Sequence, residues 1–460
     1  MRLVIEKLLP LAINIGLALM LLSPLPFGNV ETWSVSLFEI ISFITFGAWL
    51  SGKILKGRIR LMPSPLYIPF GLFFALVILQ TVDLPEGIFG LFSPGTASLW
   101  QSKSEALKHI FGDNINLKDT ISIYPFVTNQ KILLYLSYAT FFLVAADYIR
   151  SSKQVRRFFW IVFTVSIIES LIGLLQYIAS GTTVPASGTY VNPNHFAGLL
   201  LLTIPLFIGY TLYLQTKHVT VPGQWWVKLF ASSQLIMIFA TSLMAISLIL
   251  AQSRGAILSF AASIFFFYML LERGKKSRAN KWLLGGFLIL IFVYSIWIGL
   301  DPVIDKFTAT GKDIPNRTYI WKDSMHMLKD FPLFGVGLGN FSLAYTIYKN
   351  EAYWPNVYDH AHNDYIELAT ETGIVGFILV FWALIAFFRN VYRSEKYFSS
   401  EKDPFSYFML TGLLSGMFGM FVHTITEFTF QIPANAYYFT FMLALTASVV
   451  KRVTERERSD

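Results

Sequence analysis

The feature that most constrains this chain is the recurrence of apolar runs eighteen or more residues long. A helix of about 20 residues crosses a hydrocarbon core of about 30 Å, and inside that core every backbone amide and carbonyl has to be paired within the chain. Such runs lie near 8–27, 33–52, 64–82, 130–149, 156–179, 195–215, 228–250, 254–272, 281–299, 365–388, 404–427 and 433–450. They predict an all-α polytopic membrane protein of about twelve transmembrane helices. Composition agrees: of 460 residues, 54% are hydrophobic and only 14% charged, far from the balance of a soluble domain.

The basic residues set the orientation, because Lys and Arg near span ends bias a loop towards the cytoplasm. Of the 36 Lys and Arg, 25 fall in seven alternate segments: Arg2 with Lys7, Lys53 to Arg60, Arg150 to Arg157, Lys217 with Lys228, Arg273 to Lys281, Arg389 to Lys402, and Lys451 to Arg458. Both termini are therefore expected to be cytoplasmic. The net charge of +8 is explained by this topology and calls for no nucleic-acid partner. The first run follows Arg2 and Lys7 as a signal peptide would, but no small-x-small cleavage site precedes the next span, so a membrane helix is expected there. Trp33, Trp49, Trp225, Trp226, Trp282 and Trp297 fall near span ends, as an interfacial belt would place them. The chain has no cysteine, which excludes disulfides, thiolate catalysis and Cys-ligated zinc.

Two segments, 83–129 and 300–364, are too long to be mere connectors. The second is expected to be a partly helical external loop within one 1–460 domain. In "NRTYIWKDSMHMLKDFP", Asn316 reads as an N-cap, Ile320, Trp321, Met325 and Leu328 as an apolar stripe, and Pro332 as a stop. Arg317 would then stand in the first turn, where backbone N–H groups and the dipole attract an anion and a guanidinium makes a phosphate fork. A solvated surface charge would look the same. Arg254 in "AQSRGAILSF" opens a helix on the less basic side, against the helix dipole. A functional group and a snorkelling interfacial arginine both fit it.

The stretch "DHAHNDYIELATETG", residues 359–373, concentrates ionisable groups directly before an apolar run. His362 could be a general base, a metal ligand or a cap; a neutral imidazole suits the first role near neutral pH. If a helix starts near His362, Gly373 and Gly376 share its face within about 60° at 3.6 residues per turn, and small residues there would admit a neighbouring helix. Packing alone explains the glycines equally well. His360, His362 and Asp364, with His423 and Glu427, could hold a metal, but nothing in the sequence brings them together and no metal is expected. Asp359, His360 and Asp364 have no assigned role. "FGVGLGNF", Phe334 to Phe341, follows a helix rather than a strand, so Gly335, Gly337 and Gly339 read as tight turns and not as a nucleotide loop. His195 in "YVNPNHFAGLL" either lines the same cavity or merely follows a cap at Asn192 or Asn194. Glu169, in mid-span, needs a partner inside the bundle.

In order and placement these residues resemble the O-antigen ligase and O-antigen polymerase superfamily of bacterial membrane glycosyltransferases. The family's His-Asn, nine residues, Gly-x-x-Gly element is similar to His362, Asn363, Gly373 and Gly376, its Arg-x-x-x-Leu element to Arg254 and Leu258, and its loop arginine to Arg317. The resemblance implies transfer of a glycan from an undecaprenyl diphosphate carrier to an acceptor hydroxyl, at the periplasmic face of the bacterial inner membrane, without a metal or other cofactor. The acceptor would be lipid A core for a ligase, or another carrier-linked glycan for a polymerase of O-antigen or exopolysaccharide repeats. A protein hydroxyl is a third case, against which the lack of an added soluble domain weighs. Arg254 and Arg317 would hold the donor diphosphate, His362 would take the acceptor's proton, and Asn363, Gly373, Gly376 and His195 would support them. The alternative is a secondary transporter or lipid-linked glycan flippase, for which about twelve spans is also usual. A transporter would show related halves and ionisable groups in mid-membrane, whereas this chain gathers its chemistry in an asymmetric loop.

Overall fold

A computed structural model of the protein describes residues 2–57, 61–85, 95–98, 120–181, 183–216, 233–273, 313–349, 357–398 and 401–459, with a few isolated positions besides. Among these residues the regular structure is all helical. Eight helices there are long and apolar enough to cross a membrane. They are α2 (Thr32–Leu55), α4 (Pro125–Tyr148), α5 (Ser152–Ala179), α6 (Pro193–Gln215), α7 (Ser233–Leu250), α8 (Arg254–Arg273), α11 (Asp364–Arg393) and α12 (Pro404–His423). Two shorter apolar helices, α1 (Arg2–Met20) and α3 (Tyr67–Leu79), stand where spans were expected at 8–27 and 64–82. The run at 433–450 belongs to α13 (Pro433–Ser459), which continues into the charged tail. The run at 281–299, residues 217–232 with Trp225 and Trp226, and parts of both long loops lie outside the described residues.

Local chemistry starts these helices as expected. Proline stands in the first turn of α4, α6 and α12, where its missing N–H costs nothing. Ser151 and Gln154 form a reciprocal capping box on α5, satisfying two donors that a helix start leaves open. The bundle centres on α6, whose span is 94% buried and which is accordingly apolar all round. It packs on α12 through glycines: a Cβ at Gly209 would strike the Phe408 carbonyl, one at Gly412 the Pro205 carbonyl, and one at Gly416 the Leu202 carbonyl. Close backbone approach through small residues replaces the hydrophobic drive that lipid does not supply.

Helix α11 is not the straight rod that the spacing of His362, Gly373 and Gly376 suggested. His362 has φ 50° and lies outside it; the helix begins at Asp364, with the Asn363 side chain accepting from the amides of Tyr365 (3.0 Å) and Ile366 (3.1 Å). At Gly373 (φ 65°, ψ −174°) the helix breaks, in a backbone region open essentially to glycine alone. The three residues therefore do not share one helical face. The segment from Pro332 to Gly337, which includes the start of "FGVGLGNF", bridges the break. Ile374 N–H donates to Pro332 O and Val375 N–H to Leu333 O, while the carbonyls of Thr370 and Glu371 accept from Val336 and Gly337. Gly335, Gly337 and Gly339 have φ of 68°, 99° and 86°, so they do form tight turns, and a Cβ on Gly335 would collide with the backbone of Thr370 and Glu371. Gly376 does face a neighbour, Leu76 of α3.

The loop helix α9 (Asp313–Asp330) ends before Pro332 as expected but begins earlier than predicted. Asn316 is inside it rather than capping it, and Arg317 stands a turn in. Its buried face is Ile320, Ser324 and Met327, continued by Phe331 just past its end; of the predicted stripe Ile320 is buried, but Met325 is 37% exposed. A short helix, α10 (Phe341–Tyr348), follows the glycine turns. Glu169 finds its partner in a loop: Thr189 donates to it from both its hydroxyl (2.7 Å) and its amide (2.8 Å).

Candidate functional site

The turn between α12 and α13, residues 424–432, collects the ends of several helices. Asp364 N–H at the start of α11 donates to Thr424 O. The Asn435 amide of α13 donates to His195 O on α6 (2.9 Å). Gly255, next to Arg254 at the start of α8, lies so close that a Cβ there would meet the Thr426 hydroxyl and come within 3.6 Å of His423. Chain segments distant in sequence thus bring their polar ends to one short connection.

At its centre is Glu427, 1% exposed. Oε1 accepts from Arg317 (2.5 Å) and from the Asn194 amide (2.7 Å), and Oε2 faces His362 Nδ1 at 3.3 Å. Arg317 also donates to Thr426 O at 2.5 Å, so its guanidinium grips both backbone and side chain of the turn. Burial pushes the Glu427 carboxyl up, but the hydrogen bond from His362 and the charges of Arg317, His362 and His423 outweigh it and hold the group down at about 2. A carboxylate accepts and never donates, so the donor in this contact is His362 Nδ1, and in a neutral ring Nε2 is then the acceptor. The arrangement can orient a base and neutralise the imidazolium that forms when the base takes a proton.

An aromatic floor fixes the histidines. The Phe428 ring lies 4.2 Å from that of His360, 4.6 Å from His195 and 4.9 Å from His362, centroid to centroid. His360 is held by Glu367 at 2.7 Å, whose other oxygen accepts from Ala361 N–H at 2.9 Å. Trp321 of α9 donates to Ala361 O (3.0 Å), tying the loop helix to the segment before α11. His362 and Arg317 keep 28% and 31% of their side-chain surface exposed, enough for a substrate to reach them, and the guanidinium has donors left for an anion.

The structure brings Arg317, His362 and Asn363 to this turn and starts the Arg254 helix beside it. His195 is buried on Phe428 with no partner for Nε2, while the neighbouring Asn194 is the residue that reaches Glu427; the cap on α6 is Asn192, whose side chain accepts from Asn194 N–H at 2.9 Å. Gly373 and Gly376 act through the helix break and the α3 contact. Leu258 is 63% exposed on the surface of α8. His360, His362 and Asp364 are each engaged by another group, and among the described residues no cluster of three His, Asp or Glu is arranged to hold a metal. Sequence reading missed Glu427 as the hub, along with Asn194 and Phe428. The available signal was an acid in "HTITEFTFQIP", a short connection between two apolar runs, where an unpaired charge would be costly.

The O-antigen ligase family matches residues 239–381, which include Arg254, Arg317, His362, Asn363, Gly373 and Gly376. Over this stretch, about a third of its length, the chain is similar to the O-antigen ligase family. It is also similar to the exopolysaccharide production protein ExoQ of Rhizobium meliloti (strain 1021), with 30% identity over 172 residues, 35% of this chain and 36% of that protein. The similarity thus spans about a third of the curated relative. Asn194, His195 and Glu427 lie outside the family match, so the hub joins the matched region to helices on either side of it.

Proposed function

We propose that the chain is a member of the O-antigen ligase and polymerase superfamily and transfers a glycan from an undecaprenyl diphosphate carrier to an acceptor hydroxyl, at the periplasmic face of the inner membrane. The observation that carries the reading is the convergence of Arg317 and His362 on one buried carboxylate, with the Arg254 helix starting against the preceding residue of the same turn, Thr426. In the transfer, the acceptor oxygen bonds to the anomeric carbon as the bond from that carbon to the diphosphate breaks, and the diphosphate leaves with its charge. Arg254 and Arg317 would stabilise that charge as it develops. The acceptor proton passes to His362 Nε2, and Glu427 holds the ring in the required tautomer. Both arginines have to be available to the donor, and Arg317 can bind it without leaving Glu427.

The likeness to a protein named for exopolysaccharide production favours polymerisation of such a glycan over ligation to lipid A core. Deleting the gene and analysing the surface glycan tests this. Accumulation of single repeats supports the polymerase; polymer missing from lipid A core supports a ligase; an unchanged glycan overturns the transferase reading.

A further inference from the structure

Beyond Glu427, the same turn holds a second cation. Lys131, in the second turn of α4, donates to Gln431 Oε1 at 3.3 Å. A Cβ at Gly339 would come within 2.7 Å of its Cγ, so the last of the glycine turns leaves the space that the lysine stem occupies. Arg317 has Glu427 as its counter-ion, and Lys53 and Arg150 have Asp147. Lys131, half-buried, has a neutral amide as its partner and, among the described residues, no carboxylate within ion-pair distance. An ammonium partly withdrawn from water without a counter-ion calls for an anion.

This lysine stands at the end of a groove of about 550 Å³ between α3, α4, α11 and α13, within the ~300–1,000 Å³ usual for small-ligand sites. Gln431 lines the groove, as does Tyr135, one helical turn from Lys131. Phe70, Leu143 and Phe439 continue it, and Leu61 and Leu136 in its wall are 45% and 36% exposed, so it opens towards the surface where lipid would stand. Asp364 and Glu371 lie at the same end as Gln431. Both are buried and accept from the chain's own amides, Asp364 from Phe430 (3.0 Å) and Glu371 from Phe341 (3.1 Å). Burial favours the neutral form of a carboxyl group, so Lys131 sets the sign of charge at this end.

An apolar length closed by a cation matches a hydrocarbon chain with an anionic head. We propose that Lys131 binds the diphosphate of a second carrier, the one bearing the acceptor glycan, and that the groove takes the chain of that carrier. This rests on the transferase reading in its polymerase form, in which both substrates are carrier-linked glycans. It adds that each diphosphate has its own cations, Arg254 and Arg317 for the donor and Lys131 for the acceptor, because two diphosphates on one pair of arginines would repel each other. Lys131 meets the turn at Gln431 and His362 meets it at Glu427. The acceptor glycan therefore has the length of the turn to run from its diphosphate to the base.

The test is photolabelling of the full chain in phosphatidylcholine nanodiscs with a polyprenyl diphosphate carrying a diazirine in its chain. Label is expected on peptides of α4 and α13, and is expected to persist in the Arg254→Ala, Arg317→Ala double variant, which lacks the donor's cations. In that background Lys131→Met should lose about tenfold of the label, the scale of one charged hydrogen bond, and Lys131→Arg should regain it. A polyprenol with the same diazirine should label with and without Lys131→Met alike. Gly71 lines the groove, and a Cβ there meets nothing within 4 Å, so Gly71→Phe should weaken labelling by both probes at an unchanged melting temperature. Gly47→Phe on α2, equally unobstructed, should weaken neither. Diphosphate labelling that survives Lys131→Met, polyprenol labelling that falls with it, loss of groove label with the two arginines, or no groove label against the excess of phosphatidylcholine would each overturn the proposal. The His362→Ala variant should label as the wild type does; if it also still transferred glycan, the reaction reading would fail while the carrier site stood.

Discussion

Glu169 and Glu427 are both acids with almost no exposed surface, at 0% and 1%, yet their surroundings differ in kind. Glu169 lies in the length of α5 and meets two neutral donors of one residue, Thr189, with Gly188 pressed against its oxygens. Both donors belong to one loop residue, so Glu169 pins that loop to the bundle. Glu427 lies in a connection between helices and meets a guanidinium, an imidazole and an amide from three separate segments. Two of those partners keep about a third of their surface open. Burial therefore does not distinguish the two acids; the exposure of their partners does.

Breaking each side of this comparison should give different kinds of loss. On the transferase reading, His362→Ala removes the base, and glycan transfer by membranes containing the protein should fall about 10²–10⁴-fold with the protein still inserted. Arg317→Lys keeps the charge but loses the fork; a rate assay over donor concentration should show weakened donor use that the lysine does not restore. Gly373→Ala puts a Cβ into the Leu333 carbonyl at a backbone angle suited to glycine. Strain there costs on the order of 1–3 kcal/mol before the clash is counted, so a thermal melt should show clear destabilisation. Glu169→Ala leaves the Thr189 amide unmet at about 1–3 kcal/mol, while the hydroxyl keeps Pro24 O as an acceptor. It should lower the melting temperature while the rate per folded molecule stays at the wild-type value; a loss of rate without a loss of stability would erase the distinction between the two acids.

The smallest effect is in pH. The Glu427 carboxyl is held at about 2 against an ordinary 4.5, so the stabilisation from its ionised form is complete above 4.5 and is lost as pH falls towards 2. The stability gap between wild type and Glu427→Gln should stay constant from neutral pH down to about 4.5 and close below it, as followed by melting temperature. A gap that closes near neutral pH would show that the carboxylate is not paired as described.

The helices were legible because length and apolarity of a run suffice to name a spanning helix, and that signal is local. Arg254, Arg317 and His362 could be singled out by residue type and by resemblance. Their meeting point could not, because Glu427 is 110 residues from Arg317 and 65 from His362, and no periodicity connects them. The face shared by His362, Gly373 and Gly376 was misread for a physical reason: the argument assumed continuous helical dihedrals, and both His362 and Gly373 have positive φ. A glycine that breaks a helix and one that packs it look identical in the sequence. The α9 stripe matched the buried face at Ile320 but not at Trp321, which serves as a hydrogen-bond donor to Ala361 at its edge.

The central claim is that His362 accepts a proton during glycan transfer. The most direct measurement is the initial transfer rate of purified wild-type and His362→Ala protein in proteoliposomes with a lipid-diphosphate-linked glycan, at saturating donor. The account predicts a loss of about 10²–10⁴-fold in the variant, with donor binding unchanged because the arginines are intact. A variant that transfers glycan at the wild-type rate would contradict it.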